Sequence, residues 1–319
     1  MLQLKADPWR PDHGAGAEIE LEDETTRAVV DPNVETDDWT RPLVPAPCAA
    51  PSVSFVDGVM RTELRVLARD GDARAWGLLG SCASGAVRCD GAATFVAEGE
   101  PIARAFLVGS RIEAPPLDVD VAGSKLRYEP HPLADDSPTG LRRGLQRVML
   151  ALEQRLAETL ARDGLVFADG PLHLDGGAAR PVVGVVKRMV VSYLPAPNEA
   201  LLGRLEPGQR TPLFALGNGV IDRYAWYLRL IESAPAWHEF AGLVRCEVRT
   251  SLGLEEARRI ADLVARHLPS FAGRPGFDPR APQNLTPVGA LEERLKHRLG
   301  SSMLITRAMQ AHLAEGNHG

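Results

Sequence analysis

One segment limits the possible folds of this chain more than any other. In GLRRGLQRVMLALEQRLAETLARDG, residues 140–164, Leu141, Leu145, Val148, Met149, Leu152, Leu156 and Leu160 recur at intervals of three and four. That spacing lays a single apolar stripe along a helix, and Gly164 is expected to end the helix in a left-handed conformation. Before the helix come short alternating or apolar runs at 53–57, 62–69, 73–80, 92–97 and 103–109, separated by turn signals. They predict an antiparallel meander. After it come two unbroken apolar runs, LVFAD (165–169) and PVVGVVKRMVVSYL (181–194), the pattern of strands buried on both faces. A helix joining two strands of one sheet makes those strands parallel. RYAWYLRLI and GLVRCEVR predict two further strands, and EEARRIADLVARHL and PVGALEERLKHRLG two further amphipathic helices. The expectation is an α/β fold with a mixed sheet flanked by helices.

The first 51 residues read differently. They hold eleven acidic side chains against four Lys or Arg, with repeated prolines and no sustained period. The expected division is an extended acidic, proline-rich arm at 1–51 and one core domain at 52–319. Residues 110–139, rich in proline and acid, are expected to form a long connection across the sheet. A hydrophobic content of 45% over 319 residues is ample for a packed core. No apolar run is long enough for a membrane helix, and the start lacks the basic-then-apolar pattern of a signal peptide, so the expected location is cytoplasmic. Cys48, Cys82, Cys89 and Cys246 show neither zinc-ligand nor redox spacing. A net charge of −6 argues against a broad nucleic-acid-binding surface. Three local basic faces remain candidates for phosphate contact: Arg142, Arg143, Arg147 and Arg155; Lys187 and Arg188; and Arg294, Lys296 and Arg298.

Asp-Gly occurs six times, at Asp57, Asp70, Asp90, Asp163, Asp169 and Asp175. Arg-Asp-Gly-Asp at 69–72, between two alternating runs, predicts a tight hairpin with positive φ at both central residues. Asp57 and Asp169 are different, because each is expected to close a strand, and parallel neighbouring strands would set the two carboxylates side by side. Like charges that close resist ionisation and favour a divalent cation between them. Helical angles then select partners. With Leu141 at zero, the stripe centres near about 40°, Glu153 falls near about 120° at its edge, and Glu158 near about 260° toward solvent. On the last helix, with Val288 at zero, Glu292 falls near about 40°, whereas Glu293 and His297 fall near about 140° and about 180°. Two strand-ending aspartates, a glutamate on the crossover helix and another on a C-terminal helix match the plan of ribonuclease H-like phosphodiester hydrolases. In such a site two metal ions about 4 Å apart bridge the scissile phosphate.

These segments resemble the NurA family of DNA end-processing nucleases. FVDGV is similar to the family's first Asp-Gly motif, LVFADGPL to its second, VVGVVKR to the lysine-ended strand that follows, and NLTPVGALEERLKHRLG to the C-terminal motif of its bacterial branch. The resemblance implies a ribonuclease H-like fold, Mn2+- or Mg2+-dependent nuclease activity on DNA ends, a homodimer, and a HerA-type hexameric ATPase as partner in double-strand break processing or anti-phage defence. Carried over by position, it implies Asp57, Glu153 and Asp169 as metal ligands. Lys187 either contacts a phosphate or metal-bound water, or leaves the strand end for solvent. Archaeal members place a metal-binding histidine where this chain has Glu292, so either Glu292 is the fourth ligand or that ligand is absent.

Two other readings stay open. One is a catalytically inactive scaffold for a translocase. The other is an actin-like or sugar-kinase-type phosphotransferase, for which SCASGAVRCDG at 81–91 is the nearest approach to a phosphate-binding hairpin.

Overall fold

The computed structural model describes residues 2–6, 28–96, 100–172, 180–187, 192–218, 220–232, 238, 240–274 and 284–316. Its strands are β1 (Gln3–Ala6), β2 (Ala28–Asp31), β3 (Val53–Asp70), β4 (Ala73–Asp90), β5 (Ala92–Phe95), β6 (Ile102–Gly109), β7 (Leu117–Val121), β8 (Ser124–Leu133), β9 (Leu165–Asp169), β10 (Val182–Val186), β11 (Phe214–Asn218), β12 (Arg223–Arg229) and β13 (Leu243–Arg249). The helices are α1 (Pro138–Leu160), the single turn α2 (Ala196–Glu199), α3 (Leu254–His267), α4 (Thr286–Arg298) and α5 (Ser302–Gly316). The strands join in the order β2-β11-β12-β13-β10-β9-β3-β4-β6-β8-β7, with β1 added to β3 and β5 to β4. Three pairs are parallel: β3 with β9, β9 with β10, and β6 with β8. This is a large mixed sheet flanked by helices.

Residue alternation along the central strands divides the core between the two faces. Val56 and Val166 meet Leu156, Ala157 and Leu160 of α1 on one face. Val53, Phe55 and Phe167 meet Ile260, Val264 and Val288 of α3 and α4 on the other. Each such apolar side chain, fully buried, contributes roughly 1.5–3 kcal/mol. α1 begins where its sequence says it should: Ser137 caps it by accepting from the Gly140 N–H at 3.0 Å, and Pro138 occupies the first turn, where its missing N–H costs nothing.

Several expectations are corrected. β3 does not stop at Asp57 but runs on to Asp70, and β4 pairs with it along its whole length, with a bulge between Thr62 and Leu64. Only one central residue of the hairpin has positive φ, Gly71 at 57°, so the turn follows the glycine-first pattern of a type II′ turn. Gly164 is not left-handed, because α1 has already ended at Ala161. Residues 110–139 are not an irregular crossing. They contain the β7–β8 hairpin, whose second strand extends the sheet beside β6. SCASGAVRCDG is largely the buried interior of β4, not a phosphate-binding hairpin, which removes the residues on which the phosphotransferase reading stood.

The described part of the expected arm belongs to the fold. β1 pairs with β3, β2 pairs with β11, and Trp39 is buried against Leu201, Leu202 and Phe214. Glu35 accepts from Arg210 Nη1 and Nη2 at 2.8 and 2.9 Å and from the Leu213 N–H at 2.6 Å. Residues 7–27, where much of the acidic charge lies, are outside the described residues.

Candidate active site

β3 and β9 run parallel in the register Val56↔Ala168. One step further along both strands come Asp57 and Asp169, so the crossover through α1 sets the two aspartates abreast. Asp57 follows Val53 and Phe55 in the row facing α3 and α4, and Asp169 follows Leu165 and Phe167 in the same row. Here β9 ends while β3 continues.

Asp57 is only 5% exposed, and its Oδ2 is buried with no hydrogen-bond partner among the described residues. Burial, reinforced by the charge of Asp169 and more weakly by that of Glu292, raises its pKa to about 8; the ammonium of Lys187 opposes the rise. Glu153 is also buried. Its pKa lies well above the ordinary carboxylate range, first because of burial and then because Asp57 and Asp169 are near.

Glu153 comes from α1, across the opposite face, and the second residue of the Asp57-Gly58 pair makes room for it. A Cβ on Gly58 would lie 2.5 Å from Glu153 Oε1 and 3.0 Å from Met149 Cγ. The glycine of this pair serves close approach rather than a turn. Lys187, directly after β10, points its Nζ at Asp169 Oδ2, 2.9 Å away. Glu292 on α4 is half-buried and acts on Asp57 through its charge, while Glu293 and His297 are exposed. The structure therefore gathers Asp57, Glu153, Asp169 and Lys187, with Glu292 at the margin. Among the described residues no three His, Cys, Asp or Glu side chains are grouped so as to hold an ion as they stand.

Of the expected basic faces, Arg294 and Arg298 both contact Glu100, and Lys296 lies 2.8 Å from Glu293, so that face is internally neutralised. Arg188 lies outside the described residues. Arg249 and Gln154 had no place in the sequence reading. Both line a cleft that also contains Glu153, Glu158 and Asp169. No local pattern could have found Arg249, whose partner Glu158 is 91 residues away in the chain.

The NurA domain family matches residues 85–285, more than half of the chain. The chain belongs to the NurA family. Within that match lie Glu153, Asp169 and Lys187, while Asp57 and Glu292 fall on either side of it. Among solved structures, the crystal structure of the NurA nuclease from Sulfolobus solfataricus matches over 82% of this chain and 86% of that one, at 12% sequence identity and a TM-score of 0.43. No curated protein matches.

Proposed function

We propose that this chain is a metal-dependent nuclease acting on DNA ends. The observation that carries the reading is the pair of buried carboxylates Asp57 and Glu153, both held above the ordinary carboxylate range by burial and by the charge of Asp169, in a member of the NurA family. Burying several acids together is costly unless something compensates them. Asp57 Oδ2, buried without a partner among the described residues, and an all-oxygen donor set fit a hard divalent cation, Mn2+ or Mg2+. Asp57, Glu153 and Asp169 are the proposed ligands, and Glu292 is the candidate fourth. A ribonuclease H-like core is supported by the sub-order β6-β4-β3-β9-β10, in which a meander is followed by a helix and two parallel strands.

Bound cations in such a site supply an activated water and neutralise charge at the scissile phosphate. The chain's own residues do the rest. Asp57 and Glu153 must lose their protons to coordinate, a loss that burial disfavours and that a bound cation would offset. Lys187, now held by Asp169, would exchange that contact for a phosphate oxygen, which also frees Asp169 to coordinate. The walls of Phe55, Phe167 and Val288 keep bulk water away from one side.

The wider setting proposed for this nuclease is a homodimer in the cytoplasm, fed DNA by a HerA-type hexameric ATPase in repair or anti-phage defence. With net charge −6 the chain is poorly suited to gather DNA unaided, which favours delivery by a motor. A second reading, an inactive scaffold for such a motor, draws on Lys187, whose ammonium already neutralises Asp169. End-labelled duplex and single-stranded DNA incubated with the protein, with Mn2+, with Mg2+ or with chelator, separates the two. Nucleotide release that needs the metal supports the nuclease, and no release in any condition supports the scaffold. Adding the ATPase and ATP should extend degradation along the duplex.

A further inference from the structure

The cleft beside Glu153 and Asp169 measures about 40 Å³, too small as it stands to admit a phosphate group. Glu158 is one of the side chains that line it. Its Oε1 accepts two hydrogen bonds at once, from Gln154 Nε2 at 3.1 Å and from Arg249 Nη2 at 3.1 Å. Gln154 sits one turn back on α1 and Arg249 at the end of β13, so two donors from separate elements converge on one anionic oxygen. Arg249 is the cation lining the cleft among the described residues, and its side chain is 12% exposed. A half-buried ion pair of this kind contributes little stability, commonly under about 1 kcal/mol. Donors fixed around a negative oxygen beside candidate catalytic carboxylates have a chemical use instead: they match a non-bridging oxygen of a phosphodiester.

We propose that Arg249 and Gln154 form a subsite for a backbone phosphate of the DNA strand and that Glu158 holds the phosphate's place in the free protein. The inference rests on the nuclease reading. Glu153 and Glu158 are five residues apart on one helix, about 7.5 Å along its axis, and line the same cleft. The subsite thus holds a phosphate close to, but not at, the one being cleaved. Entry of the strand swings the Glu158 carboxylate out toward solvent, where its side chain is already 29% exposed, and Arg249 exchanges one anion for another. Arg249 is a substrate-binding residue in this account, and Gln154 orients the same oxygen.

The test uses the full chain in chelator, so that nothing is cut, with fluorescein-labelled oligo-dT as probe and anisotropy as readout. Glu158→Gln keeps the shape and removes the competing charge; it should tighten binding by about threefold to fivefold. Arg249→Ala should weaken binding by about tenfold or more, and Arg249→Lys should recover part of the loss. In the Arg249→Ala background, Glu158→Gln should change affinity by less than about twofold, since there is no longer a guanidinium to release. A purely structural pair would give weaker binding and a lower Tm for both single variants. That result overturns the proposal, as does equal tightening by Glu158→Gln with or without Arg249, or no binding by the wild type. Failure of the nuclease reading looks different: a wild type that binds oligo-dT with these variant effects, yet releases no nucleotides with Mn2+, keeps the subsite and refutes the nuclease.

Discussion

Replacing Asp57 by Asn should make the metal-free protein more stable at pH 8 and less stable at pH 5. The cause is the buried carboxyl. Its pKa is near 3.8 in the unfolded chain and about 8 in the fold, chiefly through burial and secondly through Asp169. A carboxyl whose folded pKa is raised imposes no penalty below about pH 4, where it is protonated in both states. The penalty then grows as pH rises and is complete near pH 8. At about 1.4 kcal/mol per pH unit, the accumulated cost approaches about 5 kcal/mol. Against this, the variant places an amide where Oδ2 has no hydrogen-bond partner among the described residues, a cost of about 1–3 kcal/mol at any pH. Relief exceeds cost at pH 8 by about 3 kcal/mol, a shift of roughly 5 °C in Tm, and the sign reverses near pH 5. Thermal melts of both proteins in chelator between pH 4.5 and 8.5 read this directly. If the difference in Tm does not rise with pH, Asp57 is not buried as an acid, and the electrostatic description of the site is wrong. Adding Mn2+ at pH 8 should then stabilise the wild type and leave the variant unmoved, because a ligand that binds only the folded state raises its stability by mass action.

Two further outcomes follow from particular contacts. Gly58→Ala should drive Glu153 away from β3, since the new Cβ would come within 2.5 Å of its Oε1; the expected result is a loss of about 1–3 kcal/mol in a denaturant titration together with loss of nuclease activity, whereas Asp70→Asn at the hairpin should keep full activity. Glu35→Gln breaks the buried pair with Arg210, whose side chain is 2% exposed, and should cost about 3 kcal/mol in the same titration, so that removing residues 1–50 unfolds part of the sheet rather than trimming a tail.

The carboxylate arrangement was legible in sequence wherever it depends on period and order. A helix between two strands implied their parallel pairing, which sets Asp57 beside Asp169, and the helical angles of α1 and α4 placed Glu153 and Glu292 inward and Glu293 and His297 at the surface; Glu158, expected toward solvent, is instead half-buried in the cleft against Arg249. Local propensity misled where tertiary context prevailed. Asp57-Gly58 looks like a turn, but a strand with neighbours on both sides carries it straight through, and its glycine answers to a side chain nearly a hundred residues on. Pro130 and Pro132 made β8 look like a loop, yet each lies in a strand that joins the sheet beside β6. Glu35 and Arg210, or Glu158 and Arg249, meet only because the sheet brings them together, and no window of sequence contains both members of either pair.

The most direct measurement is nucleotide release from an end-labelled linear DNA by the wild type, Asp57→Ala and Asp169→Ala proteins, each with Mn2+ and with chelator. If Asp57 and Asp169 hold the catalytic cation, the wild type releases nucleotides only with metal. Each variant, folded by its melting curve, should release nucleotides at least about a hundredfold more slowly, as expected when several kcal/mol of transition-state stabilisation is lost. An Asp57→Ala protein that degrades DNA with Mn2+ at a rate close to that of the wild type would contradict the assignment of this carboxylate cluster as the active site.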